Sequence, residues 1–300
     1  MNNKIKLSVK DNYKFIEEIE KGCFGKIIKA KSLKTKQKVA IKIISKKDKT
    51  ENELKMISNE IFIMKYCNHQ NIVNFFESFE ESNYYHIVME YIKFGELYNY
   101  VITNSVLSEK QAGQIFVQIL VAVDYLHQNK IAHRDIKLEN ILISNLNPIN
   151  IKLVDFGFSH FISEATNYRC GSIDYAAPEV KSNNAFDPLK TDIWSMGVIL
   201  HILLTGFFPF EKESFLSKKF EQNINYQSGE IYNESAKDLL QKIFVIDKQR
   251  ITINQIKSHP WMKPYILEYD LQQIKQSSEK VIEKDEDCII TCISNLILGE

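Results

Sequence analysis

Four residues, Gly22-Cys23-Phe24-Gly25, stand between two strand-like runs. Glycines at such a turn let a backbone lie close over phosphates and aim its N–H groups at them, where side chains would stand in the way. On its own the pattern describes an ordinary hairpin more often than a phosphate site. Val39-Ala40-Ile41-Lys42 follows, an apolar strand ending on a lysine. Lysine is seldom buried without a partner. Glu60 can be that partner: it lies on a helical run beside Ile61 and one turn before Met64, where it can face the sheet. Farther along come His133-Arg134-Asp135-Ile136-Lys137-Leu138-Glu139-Asn140, then Asp155-Phe156-Gly157, then Ala177-Pro178-Glu179. Asp135, Asn140 and Asp155 each read singly as loop caps or turn formers. Together, in this order and behind a glycine turn and a lysine strand, they do not assemble by chance.

Two kinds of scaffold must position these residues. From Tyr13 to Tyr91 short β-branched and aromatic runs alternate with polar turns: Lys26 to Ala30, Lys38 to Ile44, Ile72 to Phe79 and Tyr84 to Tyr91. Glu51 to Tyr66 interrupts them with Leu54, Ile57, Ile61 and Met64 at helical spacing, which predicts one helix beside a small antiparallel sheet. After Gly95 the period changes. Gln114 to His127, Asp192 to Leu204 and Ala236 to Val245 repeat apolar residues every three or four positions, predicting a mainly helical second lobe. Glu268 to Asp287 is polar and charge-rich, the composition of a linker or tail, and Ile289, Cys292, Ile293 and Leu296 then share one helical face.

Composition excludes several alternatives. The 300 residues carry 38 Lys+Arg against 38 Asp+Glu, a formal charge of zero that gives no bulk attraction to nucleic acid or a membrane surface. With 44% hydrophobic and 25% charged residues the chain belongs with folded globular proteins rather than disordered or fibrous ones. Five cysteines, scattered and without a CxxC pair, point to reduced thiols inside a cell. Neither a signal peptide nor a membrane span is expected: Met1 to Asp11 is polar, and the most apolar run, Ile193 to Phe210, is broken by polar residues and Pro209.

The ordered set of His-Arg-Asp with Asn five residues after the Asp, Asp-Phe-Gly and Ala-Pro-Glu resembles the eukaryotic protein kinases, over about Tyr13 to Pro264. The resemblance implies an α+β, bilobal fold: an extension at 1–12, an N-lobe at 13–92 of antiparallel sheet with one helix, a mainly helical C-lobe at 93–264 and a tail at 265–300. It also implies ATP and Mg²⁺ as cofactors. Asn140 and Asp155 would supply the hard oxygen ligands that Mg²⁺ prefers. Asp135 would accept the hydroxyl proton, Lys42 held by Glu60 would contact the α and β phosphates, and Lys137 would neutralise charge near the γ-phosphoryl group. Gly22 and Gly25 would cover the phosphates. Ile27, Ala40 and Leu142 would enclose the adenine, Met89 would stand behind it, and Glu90 to Ile92 would form the hinge. The expected location is cytoplasmic, or also nuclear.

Lys137 two residues after Asp135 is similar to serine/threonine rather than tyrosine kinases, and Gly171-Ser172 agrees. Gly95-Glu96-Leu97, Tyr175-Ala176-Ala177, Asp192-Ile193-Trp194, Arg250-Ile251-Thr252 and His259-Pro260-Trp261 resemble the calcium/calmodulin-dependent kinase group, especially its AMP-activated or sucrose-nonfermenting branch. In that pattern Arg250 pairs with Glu179 and Asp192 bonds back to the catalytic loop. Glu96 and Glu139 match acidic positions that meet an arginine upstream of the acceptor; a solvated glutamate, or for Glu96 a ribose contact, is the competing reading. Protein substrates, with an upstream kinase as a further partner, are implied.

Two departures stand out. Glu20 occupies the place of the first glycine of the loop, which predicts weaker ATP affinity rather than lost binding. Tyr168 occupies the place of the activation-loop threonine whose phosphate would pair with Arg134. Phosphate on Thr166, phosphate on Tyr168 and activity without phosphate all stay open, and Cys170 reads as a plain small residue. The rival class is a pseudokinase, a nucleotide-binding or scaffold module; only Glu20 and the altered loop favour it. The tail can dock on the large lobe, bind a partner or begin a small helical domain.

Overall fold

The computed structural model describes residues 8–22, 25–104, 107–162, 165–166, 168–181, 184–210 and 233–275. Cys23 and Phe24 of the glycine turn, and the apolar face of 288–298, lie outside these described residues.

The N-terminal lobe opens with one helical turn, α1 (Val9–Asn12), capped by Ser8. Five strands follow: β1 (Tyr13–Gly22), β2 (Gly25–Ser32), β3 (Lys38–Ser45), β4 (Phe75–Glu80) and β5 (Tyr84–Glu90). They pair antiparallel in the order β1-β2-β3-β5-β4. Because successive side chains point to opposite faces, β3 serves two cores at once. Val39, Ile41 and Ile43 join an outer cluster with Val9, Ile28 and Val88, while Ala40 and Ile44 face the main core with Ile87 and Met89. Helix α2 (Glu51–Tyr66) stands between β3 and β4, started by a Thr50/Glu53 capping box. Its buried side chains are Ile57, Glu60, Ile63 and Met64, whereas Ile61 is only partly buried. The sequence spacing placed Ile61 rather than Ile63 inward; the buried stripe is turned so that it includes a carboxylate.

The second lobe is built on α4 (Glu109–Gln128) and α5 (Pro188–Thr205), with α3 (Leu97–Asn104), α6 (Glu234–Ile243) and α7 (Ile253–Lys257) around them. Both long helices begin earlier than their apolar periods indicate. A Ser108/Gln111 capping box starts α4, and Asp187 with Pro188 in the first turn starts α5, two devices written in residue type rather than in hydrophobic spacing. Small strand pairs lie between the lobes: β6 (Ile131–Ala132) with β9 (His160–Phe161), and β7 (Ile141–Leu146) with β8 (Ile149–Leu153). The run His133 to Asn140 is the connection from β6 to β7, and Asp155-Phe156-Gly157 follows β8.

The chain is helical again over 263–275 (α8), where the polar composition alone reads as the start of a linker. Its polar composition reflects a helix exposed on one side and anchored on the other by two tyrosines. Tyr265 lies over Gly113 of α4, where any Cβ would collide with the ring. The Tyr269 hydroxyl donates to Asn71 Oδ1 at 2.6 Å, on the loop after α2, and accepts from Gln70 Nε2. Asn71 in turn donates to Gln118 Oε1 and to the Ile151 carbonyl. The junction of the lobes is thus one polar network closed from behind by α8.

Candidate active site

Lys42 lies between Ala40 and Ile44 on the inward face of β3, which runs on to Ile44 rather than ending at the lysine as its sequence suggests, opposite Ile87 on β5 and Ile27 on β2. Its Nζ lies 2.6 Å from Glu60 Oε1 and 2.9 Å from Asp155 Oδ1. Burial alone would lower the lysine pKa; the two carboxylates reverse this and hold the ammonium above its ordinary value. Burial likewise pushes the Asp155 carboxyl up, but the Lys42 charge and hydrogen bond outweigh it and leave the group below the usual carboxylate range. Glu60 is the most deeply buried of the three, and burial lifts its carboxyl against the pull of Lys42.

Asp135 is the centre of a second network. Its Oδ1 accepts from the Ser172 N–H and hydroxyl, both at 2.9 Å, and its Oδ2 lies 3.0 Å from Lys137 Nζ. Lys137 also donates to Ser172 Oγ at 2.9 Å. Asn140 donates through Nδ2 to the Asp135 carbonyl and to Oδ2, both at 2.9 Å, which leaves its amide oxygen as the remaining hard donor. That oxygen and the partly exposed Asp155 carboxylate are hard oxygen donors of the kind Mg²⁺ prefers, and the two residues could hold such an ion. Among the described residues no cluster of three or more His, Cys, Asp or Glu offers an alternative metal site.

Both Arg134 and Asp155 adopt positive φ, 66° and 59°, a conformation that costs roughly 1–3 kcal/mol in a non-glycine residue. Asp192 restrains the first of these from beneath. This aspartate, buried near the start of α5, accepts from the His133 N–H at 2.9 Å, the Arg134 N–H at 2.8 Å and His127 Nε2 at 2.9 Å. His133 packs edge-on against Phe156, its ring nitrogens meet the Val154 carbonyl and the Asp135 N–H, and burial pushes its pKa down. Arg250, buried, grips Glu179 with both terminal nitrogens at 2.5 and 3.0 Å and donates to the Lys190, Val245 and Ile243 carbonyls.

The residues expected around an adenine lie on both sides of the cleft. Ala40 and Met89 face each other across β3 and β5, and Ile27 is half-buried on β2. Leu142 is the second residue of β7 and forms an isolated bridge with Glu96. Glu90 Oε2 meets Lys152 Nζ at 2.9 Å, and Ile92 follows, half-buried. Gly25, at φ 147°, needs to be glycine: a Cβ there would strike the Ile43 carbonyl. Gly22 ends β1 opposite it, and Glu20, two register pairs inward and opposite Ile27, is exposed. Burial, then the charges of Glu20 and Glu139, push the Glu96 carboxyl up, so these three carboxylates share one electrostatic environment.

Two residues of the site escaped attention in the sequence. Ser172 served there as a marker of kinase type, while its hydroxyl in fact joins Asp135 to Lys137. Lys152 pairs with Glu90 and donates to the Ile72 carbonyl; nothing in its spacing sets it apart from surface lysines. Cys170 has its thiol pKa raised by burial, against the opposing effect of Arg134, which agrees with a plain small residue.

A sheet-bearing lobe over a helical lobe, with a lysine–glutamate pair above and an Asp-Asn loop below, defines the class of bilobal phosphotransferases. Residues 13–262 match the family described as protein kinase domain, and the chain belongs to that family. It is 34% identical over 315 residues to the SNF1-related protein kinase catalytic subunit alpha KIN12 of Arabidopsis thaliana, an alignment covering 98% of this chain and 63% of that protein. It is 36% identical to the probable serine/threonine-protein kinase MARK-A of Dictyostelium discoideum (84% of this chain, 24% of the other), and 37% identical to serine/threonine-protein kinase SIK1 of Mus musculus (83% and 33%). These likenesses place it with the AMP-activated branch of the calcium/calmodulin-dependent kinase group. The chain spans less than two thirds of the length of each of these relatives. No helix among the described residues is long and apolar enough to cross a membrane.

Proposed function

We propose that this chain is an ATP- and Mg²⁺-dependent protein kinase that phosphorylates serine and threonine hydroxyls of protein substrates, with a basic residue upstream of the acceptor. The observation that carries the reading is the joining of Asp135, Lys137, Asn140 and Ser172 in one network of 2.9–3.0 Å contacts, in the same cleft as the Lys42–Glu60–Asp155 triad.

On this reading Lys42 meets the α and β phosphates, fixed in direction by Glu60, and the backbone of Gly22 and Gly25 lies over them. Asn140 and Asp155 would hold Mg²⁺, which would offset the negative charge of the phosphates. Asp135 accepts a hydrogen bond from the substrate hydroxyl where the Ser172 hydroxyl now donates, and receives its proton as the oxygen attacks the γ-phosphorus and ADP departs. Lys137, already 3.0 Å from Asp135, balances the charge that develops there. Ile27, Ala40, Met89, Leu142 and the Glu90 to Ile92 hinge enclose the adenine. Glu96 and Glu139 receive the substrate's basic residue. Cytoplasmic, or also nuclear, work belongs to the same reading, as does an upstream kinase as partner.

Transfer from ATP with Mg²⁺ to an arginine-directed serine peptide tests the proposal beside Asp135→Asn. Removing the proton acceptor lowers kcat by about 10²- to 10⁴-fold. Equal transfer by the variant would sink the assignment, and no transfer by either, with no nucleotide-induced rise in Tm, would sink the kinase reading as a whole.

A further inference from the structure

Tyr168 stands where the resemblance to the kinases implies an activation-loop threonine, and its surroundings are specific. Its ring lies over the Arg134 guanidinium, 5.3 Å from Cζ to the ring centroid. Its hydroxyl points to Met56 Sδ at 3.7 Å. Met56 is one turn before Glu60 on α2, so the contact falls on the face that carries the partner of Lys42. The Tyr168 N–H donates to Thr166 Oγ1 at 3.0 Å, and Thr166 exchanges backbone hydrogen bonds with Phe186 at 3.0 and 3.1 Å. Arg134 is fixed as well: its Nε donates to the Phe158 carbonyl at 2.6 Å and its backbone N–H to Asp192. Gly171, at φ 91°, brings the segment so close to the Arg134 carbonyl that a Cβ would collide with it.

Three parts of a kinase must come into register for transfer: the activation segment, the arginine before the catalytic aspartate, and the helix bearing the glutamate. A phosphate does this by charge, pairing with the arginine. An aromatic ring can do it by offering its negative face to the same guanidinium.

We infer that Tyr168 is a positioning residue that replaces the phosphate: stacked on Arg134 and reaching Met56, it holds the activation segment against α2 in the unmodified chain. The inference rests on the kinase reading above and adds to it that no modification of the segment is required. Thr166 is already engaged through its backbone and hydroxyl in holding the segment in place. The exposed ring gives a modest energy, so the effect is a shift in the population of assembled sites rather than an on–off change.

The test uses the full chain, treated with phosphatase and shown by mass spectrometry to be unmodified between Asp155 and Glu179. This protein transfers phosphate, and Tyr168→Ala lowers its kcat about 2- to 10-fold with Tm unchanged. Tyr168→Phe, which keeps the ring, restores most of the loss. In an Arg134→Met background Tyr168→Ala has no further effect, a coupling that a loss of general loop order would not produce. Tyr168→Ala activity equal to wild type, or effects of the two substitutions that simply add, overturns the inference. An unmodified chain that is inert until an activating kinase phosphorylates the segment overturns it while leaving the kinase reading intact. A chain inert in both states overturns both.

Discussion

The floor and the rim of the cleft are held in different ways. On the floor Asp135, Asn140 and Asp192, and above them Glu60, are 6, 7, 1 and 3% exposed, and each is tied to a neighbour through at least one side-chain polar atom. At the rim Tyr168 is 50% exposed and held by one ring contact and one long hydroxyl–sulfur contact, while Glu20 is exposed and Glu96 half-buried. A buried polar group without its partner costs about 1–3 kcal/mol, so a floor residue is fixed both by chemistry and by its neighbours. A rim residue is held by weak, solvent-screened contacts, and substitution there changes regulation or preference while the fold persists. Both departures from the kinase pattern, Glu20 and Tyr168, fall on the rim.

The largest effect that tests this contrast is removal of the brace beneath the floor. Asp192→Ala strips an acceptor from the His133 and Arg134 N–H groups and from His127, and releases the positive-φ conformation of Arg134. A stability loss of about 3 kcal/mol or more is expected in urea unfolding, with kcat at least about tenfold lower at temperatures where the variant stays folded. A loss below about 1 kcal/mol would show that the floor is held by its own loop and not from α5.

How far the sequence could be read follows the same division. The floor was legible because phosphoryl transfer fixes residue types: carboxylate, amide and ammonium groups at set spacings admit few substitutes. The two-lobed architecture was legible from the change of hydrophobic period after Gly95. What spacing could not supply was contact between distant segments. Ile63 rather than Ile61 faces inward on α2 because the helix turns to bring Glu60 toward Lys42. The polar run after Pro264 reads as linker, yet Tyr265 fits a space that only the absent side chain of Gly113 provides, and Tyr269 finds Asn71 198 residues away. Tyr168 was legible as a departure, but its partner Met56 lies 112 residues earlier and carries no motif.

Gly171 is where floor and rim meet, and substitution there shows which of them yields. At φ 91° an alanine is strained, and its Cβ would strike the Arg134 carbonyl. If the rim is weakly held it moves, and Gly171→Ala lowers kcat several-fold while shifting unfolding by less than about 1 kcal/mol, since the strain of roughly 1–3 kcal/mol is relieved by displacement of the segment. A stability loss equal to the full strain would mean that the rim is as rigid as the floor and would remove the contrast.

The smallest effect concerns charge at the substrate side of the rim. The Glu96 carboxyl is pushed up by burial, then by Glu20 and Glu139, so it takes its proton at higher pH than an ordinary glutamate. As pH falls through the range just above the ordinary glutamate value of about 4.3, Glu96 loses its charge before an unperturbed carboxylate does. Discrimination between an arginine-bearing peptide and its neutral counterpart, measured as the ratio of their kcat/KM values, therefore declines with acidification at a higher pH than an exposed glutamate would give. Glu20→Gln removes one of the repelling charges, lowers the Glu96 pKa and moves the decline to lower pH. Glu20→Gly does the same and, by restoring the glycine of the loop, lowers the KM for ATP by about threefold, some 0.7 kcal/mol. A decline that does not move in either variant would separate Glu20 from the substrate side of the cleft and leave it acting on nucleotide alone.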